Sequence, residues 1–343
     1  MSKAIALFSG GLDSILATLI IRKQGIEVEA VKFRTPFISP NPPHSLCLSN
    51  QEINIAQKLG FDINIFHIGH EFIDIVKNPA HGYGKNMNPC IDCRILMLKK
   101  ARDIMNQTDA DFIITGEVLG QRPMSQRKET LYHIDKEAGV TDYVLRPLSA
   151  KLLSPTIPEL KKIINRDVLY NFNGRSRKPQ ITLAKKLGLS DYPLPTGGCL
   201  LTDPIFAYRL RDLLKHNPDS NIRDFDLLKI GRHFRLSPLC KIIVGRDKAE
   251  NEILESLAGN EDSLLQVEGY GSPLTLITGQ ATDEILRVAA SICARYSDAK
   301  KLSEVEVVIM NGDNTVSLRV SPADNEMIED LRIGLKSSII MRQ

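Results

Sequence analysis

No stretch of this sequence approaches the roughly 20 consecutive apolar residues that a membrane-spanning helix needs, which excludes a helical membrane protein. The expected first strand begins at residue 4, leaving no room for a secretion signal. Only 6 Cys are present, too few and too unevenly spaced for a disulfide framework, so a reducing, cytoplasmic setting is expected. No internal repeat and no low-complexity tract occurs, which excludes a repeat architecture. Neither an H-x-x-x-H nor an H-E-x-x-H frame exists, so His67, His70 and His81 are expected at the surface or in structural roles. Net charge is small too, at +3, but it is unevenly distributed. Residues 151–186 hold nine Lys/Arg against Glu159 and Asp167, net +7, which leaves −4 for the rest of the chain. Such a stretch suits a polyanion, RNA above all; a solvated lysine-rich face is the plain alternative.

What is present is a globular composition, 43% apolar and 25% charged over 343 residues, enough for two or three domains. The organising stretch is Ala4-Ile-Ala-Leu-Phe8 followed by Ser9-Gly-Gly-Leu-Asp-Ser14 and the helical pattern Ile15, Leu16, Leu19, Ile20. Strand, glycine turn and helix start in that order form a phosphate-binding arrangement. Gly10 and Gly11 lack the β-carbons that would keep a phosphate from the backbone. The N–H groups of Gly11, Leu12 and Asp13 can then share one anion with the hydroxyls of Ser9 and Ser14. The loop has no Lys, so it is not of the Walker type. An ordinary βα turn capped by Asp13 or Ser14 is the competing reading.

Glu27–Phe33 reads as a second strand and Asp62–Ile68 as a third, with Ser49-x-x-Glu52 capping a helix between them to about Leu59. Asp111–Thr115 and Tyr143–Arg146 read as the fourth and fifth strands. Residues 94–106 form an amphipathic helix between the third and fourth strands. Thr156-x-x-Glu159 is a second capping box. The alternation implies a parallel sheet covered on both faces, with ligands beyond the strand carboxyl ends. Three domains are expected: 1–203, an α+β domain over 204–279, and a small α+β module over 280–343. The last should hold a helix near 282–294 and a hairpin turning at Asn311-Gly312.

Cys90 and Cys93 form C-x-x-C at a helix start, and Cys199 closes the loop Pro193–Cys199. Thiols at helix N-termini are expected to have lowered pKa. Three uses compete: a zinc site completed by His44 and Cys47, a redox relay with a persulfide on Cys199, and an iron–sulfur cluster with one open iron. Asp92, between the paired cysteines, is expected to be a surface helix-start residue rather than a general base, for want of a partner. Cys240 and Cys293 are expected in the core.

Taken together, SGGLDS, NPCIDCR, TGEVLGQRPMSQ, LRPL and PTGGC, in this order, resemble the tRNA thiouridine synthetases of the PP-loop ATP pyrophosphatase family. The GE-x-LGQ-x-x-x-SQ stretch is most similar to the 4-thiouridine synthetases, and NPC-x-x-C also resembles the 2-thiouridylases. The likeness covers about residues 4–203. It implies an adenine nucleotide alpha hydrolase-like α/β fold with smaller α+β carboxy-terminal parts. It implies an enzyme that adenylates a uracil carbonyl with ATP and Mg²⁺, releases pyrophosphate, and lets sulfur displace AMP. Ser9, Gly10, Gly11, Asp13 and Ser14 would hold the pyrophosphate. Phe33, Gly116 and Gln121 would lie in the nucleotide region, with Asp13, Cys90, Cys93 and Cys199 catalytic. Cys90, Cys93 and Cys199 match the ligands of a 4Fe-4S cluster, with zinc or no metal as alternatives. The partners implied are tRNA and a sulfur donor, either sulfide or a persulfide carrier protein, and no membrane.

Neither the family's usual amino-terminal RNA-binding domain nor a rhodanese-like domain is seen in the sequence, which favours a cluster over a persulfide relay. RNA docking is expected on Lys161, Lys162, Arg175, Arg177 and Lys178, or on the carboxy-terminal part. There, residues 231–252 faintly resemble an RNA-binding domain of ribosome-associated proteins. A small-molecule amide or nitrile ligase of the same pyrophosphatase class, and a non-catalytic RNA-binding protein, are the alternative functions.

Overall fold

A computed structural model describes residues 2–37, 50–189, 192 and 199–334, which fall into two compact units, Met1–Thr202 and Asp203–Gln343. The first unit runs β1 (Lys3–Leu7), α1 (Leu12–Arg22), β2 (Glu27–Arg34), α2 (Asn50–Leu59), β3 (Ile63–His67), α3 (Gly69–Lys77), α4 (Cys90–Gln107), β4 (Phe112–Thr115), α5 (Lys128–Glu137), β5 (Val144–Leu145), α6 (Ile157–Leu160) and α7 (Lys178–Lys186). Its five strands are all parallel, in the order β3-β2-β1-β4-β5. The order reverses at β1, whose carboxyl end leads into the glycine loop. That reversal is where open α/β sheets bind ligands.

The side-chain alternation of β1 builds two cores. Ala4 and Ala6 face one side, where Leu12, Ile15 and Leu16 of α1 and Leu183 and Ala184 of α7 pack. Their small side chains let α1 lie close to the strand. Ile5 faces the other side, against Ile95, Leu98, Ala101 and Ile104 of α4. Strands apolar on both faces are what a parallel sheet between helix layers requires. The helix expected near 94–106 starts earlier, at Cys90, because Pro89 occupies its N-cap and fixes the entry. The Thr156–Glu159 capping box forms as read. The cap expected at Ser49 lies outside the described residues.

The second unit comprises α8 (Pro204–His216), α9 (Ile222–Leu227), β6 (Arg232–Ser237), β7 (Cys240–Val244), α10 (Lys248–Leu257), β8 (Ser263–Val267), β9 (Thr275–Gly279), α11 (Asp283–Arg295), β10 (Val305–Asn311), β11 (Asn314–Val320) and α12 (Asn325–Leu331). Its six strands pair antiparallel in the order β11-β10-β8-β9-β7-β6. One sheet therefore crosses the domain boundary expected after residue 279, since β10 pairs with β8 and buries Val307 against α11. A module cut at 280 would leave that sheet face open. The hairpin turns at Gly312-Asp313, one residue later than expected, because Asn311 and Asn314 pair. Cys240 and Cys293 are fully buried, as expected.

Candidate nucleotide and thiol site

The loop after β1 is shaped for an anion. Gly10 takes φ +78°, a left-handed conformation that a side chain would oppose. Gly11 caps α1 without a side chain, and the N–H groups of Leu12, Asp13 and Ser14 find no acceptor among the described residues. These are the orphan amides of a helix start, aligned with its dipole. The hydroxyl of Ser14 donates to the Gly11 carbonyl at 2.8 Å and that of Ser9 to Ser14 Oγ at 3.2 Å, which braces the turn. Gly116, at the end of β4, closes the cradle from the side. A β-carbon there would lie 2.5 Å from Ser14 N and 2.6 Å from the Asp13 carbonyl carbon.

Asp13 is half-buried and incompletely paired. Gln121 Nε2 donates to its Oδ2 at 3.0 Å, while Oδ1 is buried with no partner. Burial pushes the carboxyl up, against the hydrogen bond from Gln121 and the charges of Arg177 and Arg122. Phe33 sits near the carboxyl end of β2, with its ring buried 6.0 Å from Phe66. It belongs to the core beneath the sheet.

The structure brings the three cysteines together. Met87 N–H donates to the Leu201 carbonyl at 3.0 Å and Asn86 Nδ2 to that of Thr202 at 2.7 Å. These bonds tie the segment ahead of Cys90 to the segment that carries Cys199. The thiols lie close enough for the charge of one to raise another's pKa. The expectation of lowered thiol pKa is overturned. Burial pushes Cys93 up to about 12 and Cys199 up to about 11, and Cys90 rises for the same reason. The loss of water outweighs the helix start and the nearby Arg94 and Arg122. All three are free thiols. Cys47 and His44 lie outside the described residues.

Behind the thiols runs a buried ion network that the sequence patterns did not announce. Arg146 of the LRPL stretch donates to both oxygens of Asp135 at 2.8 and 2.7 Å and to Glu117 at 3.0 Å. Arg94, next to Cys93, faces Glu117 at 3.5 Å. Burial pushes Glu117 up, but Arg94 and Arg146 more than offset it and hold the carboxylate below its ordinary range. The GE and LRPL motifs thus supply the two middle members of a salt-bridge chain that ends at Arg94 and Asp135.

Asp92 is also corrected. It is buried and accepts from His81, at 3.1 Å from the main chain and 2.8 Å at Nδ1. His81 Nε2 meets His133 Nε2 at 2.8 Å. The partner lies 11 residues upstream, in a loop with no regular spacing to announce it.

The basic residues separate into two groups. Lys161, Lys162, Arg175 and Lys178 are exposed. Arg177 is half-buried at the N-cap of α7, and its charge acts on Asp13, which sets it beside the phosphate loop. Arg166 is structural: it pairs with Glu159 and donates to the carbonyls of Ala150 and Leu153 at 2.7 and 2.8 Å.

The donors present fit the groups that the motifs imply. The orphaned Asp13 Oδ1, next to free loop amides, is an oxygen ligand suited to Mg²⁺ beside a phosphate. Cys90, Cys93 and Cys199 are free thiols, the donor type that iron–sulfur clusters use. Among the described residues, no three His, Cys, Asp or Glu side chains are grouped to hold a metal ion.

Residues 1–166 match the family described as thiamine biosynthesis protein (ThiI), and residues 231–332 match the NFACT protein RNA binding domain. The chain is 27% identical over 155 residues to a probable tRNA sulfurtransferase of Thermococcus kodakarensis, covering 43% of this chain and 36% of that protein. It is 32% identical over 147 residues to one of Caldanaerobacter subterraneus subsp. tengcongensis, with the same coverage. To the tRNA-specific 2-thiouridylase MnmA of Cytophaga hutchinsonii it is 28% identical over 181 residues, 48% of each chain. It thus spans between about a third and a half of the length of these relatives. A solved 4-thiouridine synthetase–RNA complex with bound ATP is 21% identical, with a TM-score of 0.38 over 66% of this chain and 52% of that one. The resemblance carried by the motifs holds for the amino-terminal unit, and the match over 231–332 extends the likeness read from 231–252.

Proposed function

We propose that this chain thiolates a tRNA uridine with ATP, a reading that the match of residues 1–166 to the thiamine biosynthesis protein (ThiI) family supports. The observation that carries the reading is the loop of residues 116–126. It touches the phosphate loop through the Gln121–Asp13 hydrogen bond, and its Arg122 acts on the three thiols. Nucleotide chemistry and sulfur chemistry therefore share one site.

A uracil carbonyl is a poor electrophile, so its oxygen must first become a leaving group. The oxygen attacks the α-phosphate as the ring N3–H gives its proton to solvent, and pyrophosphate leaves into the amides of Leu12, Asp13 and Ser14, where the helix start favours its charge. Asp13 Oδ1 would hold Mg²⁺, which offsets phosphate charge when bound. Arg177 adds a cation at the same end. Cys90, Cys93 and Cys199 would hold a 4Fe-4S cluster, which supplies an open iron for sulfide as the sulfur donor. The buried Arg94–Glu117–Arg146–Asp135 chain keeps the thiol-bearing start of α4 fixed against β4. RNA is positioned by the exposed Lys161, Lys162, Arg175 and Lys178 and by residues 231–332, a reading that the RNA-binding family match supports. Thiol chemistry of this kind suits the reducing cytoplasm.

The test is the anaerobically purified chain with tRNA, ATP and sulfide, assayed for AMP, pyrophosphate and thiolated nucleosides by mass spectrometry. Iron and acid-labile sulfide are measured alongside. ATP cleavage that depends on tRNA and is lost in Asp13→Ala is the expected result. Cleavage driven by a small acid and indifferent to tRNA would instead identify a ligase. A colourless, zinc-containing protein that still thiolates tRNA would defeat the cluster assignment.

A further inference from the structure

Arg122 stands between the two halves of the site. Its neighbour Gln121 holds Asp13. Gln126, itself 2% exposed, fixes Arg122 from both sides: its Oε1 accepts the Arg122 N–H at 3.0 Å, and its own N–H donates to the Arg122 carbonyl at 3.1 Å. The Gln126 carbonyl takes the Gly120 N–H at 2.7 Å, which closes the turn. Met124 lies against Gly84, where a β-carbon would sit 3.6 Å from its Cγ. Gly84 N–H is bonded to the Asn88 carbonyl at 2.8 Å, two residues before Cys90. The turn that carries Arg122 is thus rigid and wedged between phosphate loop and thiols.

Glu117 and Asp13 act on Arg122 from a distance, but neither pairs with it. Arg94 and Arg146 share Glu117, and Arg146 also takes Asp135. Arg122 acts on Asp13, Cys90, Cys93 and Cys199 and stands beside the like charge of Arg94. Among the described residues no carboxylate forms an ion pair with it. An exposed arginine on a braced turn, with no carboxylate paired to it among the described residues, is free to reach an anionic ligand. Arg177 also faces Asp13, but only Arg122 is common to both halves.

We propose that Arg122 is a catalytic residue of the sulfur-transfer step: its guanidinium holds the phosphate of the adenylated uridine and receives the charge that AMP carries away. This rests on the thiolation reading. In that step a sulfide lone pair, from HS⁻, forms the C–S bond. The bond between the carbon and the adenylate oxygen breaks, and its electron pair stays on the phosphate. The sulfur-bound proton moves to the ring nitrogen. AMP leaves with one more negative charge than the phosphodiester had, and no electron is gained or lost overall. That added charge develops on the phosphate at the thiol side of the site, where Arg122 stands.

The test compares the full chain with Arg122→Ala and Arg122→Lys, under anaerobic conditions with tRNA, ATP and sulfide. In a single turnover, pyrophosphate release is expected to slow far less than AMP release. AMP release and thiouridine formation should slow by about 10²–10³-fold in Arg122→Ala and recover in part in Arg122→Lys. By calorimetry, AMP affinity should fall about tenfold in Arg122→Ala, while pyrophosphate affinity holds. Unchanged AMP release and AMP affinity would overturn the proposal. So would an equal loss in both half-reactions, which marks a merely structural role. If the unsubstituted chain releases no pyrophosphate with tRNA, yet its AMP affinity still depends on Arg122, the thiolation reading fails and the phosphate contact of Arg122 stands.

Discussion

Gly116 shows how closely single residues are constrained at the site. Its missing β-carbon is the space that the Asp13–Ser14 backbone occupies. Gly116→Ala must push the phosphate loop away, and overpacking of this kind costs about 1–3 kcal/mol. ATP affinity measured by calorimetry should fall at least about tenfold, while circular dichroism still reports the native helices. An unchanged affinity would mean that nucleotide binds elsewhere. Residues on one continuous loop, such as Gly10, Gly11 and Asp13, are legible in the sequence because the chemistry needs them at consecutive positions. Glu117 and Arg146 are not, since a salt bridge across 29 residues has no spacing rule. The expectation for Asp92 fails for the same reason. The expected direction of the thiol pKa fails because a helix-start argument counts the dipole and omits the lost water.

Among elements, the long strands and helices of the first unit are readable because their apolar patterns are strong and each must cover a sheet face. β5, two residues long, and α6, four long, carry too little pattern to fix their ends. The second sheet carries a constraint that the pattern hides. Lys241 stands in β7 directly across from Arg235 of β6, where an apolar side chain would be ordinary. It is buried, and burial brings its pKa down to about 7; Asp212 of α8 and Asp224 of α9 oppose the shift, while Arg235 and Arg209 add to it. An unfolded lysine keeps its proton to about pH 10.4, so between 7 and that value the unfolded chain binds more protons. The cost to folding is therefore full below pH 7 and fades as pH rises. Lys241→Met should melt at a higher temperature than the parent at pH 6, with the gap closing toward pH 10 in scanning calorimetry. A gap independent of pH would assign the effect to packing alone.

For the whole molecule, the boundary near residue 203 is legible from a change in composition, but no second boundary exists where the sequence suggests one. Sequence order hides that β10 returns to pair with β8, so a turn-rich stretch near 280 looks like a division. The proposed RNA surface belongs to this scale too. Reversing Lys161, Lys162, Arg175 and Lys178 to Glu should weaken tRNA binding. It should also flatten the slope of log affinity against log salt by roughly 0.7–0.9 for each RNA phosphate that the variant no longer neutralises. Filter binding over a salt series measures both. Unchanged binding would move the docking surface to residues 231–332.

The strand order of the first sheet has a consequence for synthesis. β1 is the first strand made and the central one, but its second neighbour, β4, begins 108 positions after Ala4. At about 5–20 residues per second, a ribosome needs roughly 5 to 20 seconds to cover that interval. Throughout it, the edge of β1 that β4 will occupy has no strand beside it, and until residues 90–107 are made Ile5 also lacks α4. The nascent chain therefore carries an open, apolar strand edge for a period long compared with hairpin closure. The catalytic loop, anchored between β1 and β4, can form only after that edge is sealed. Slow codons or chaperone capture within residues 8–111 would act on the yield of folded protein without altering the finished protein at any atom.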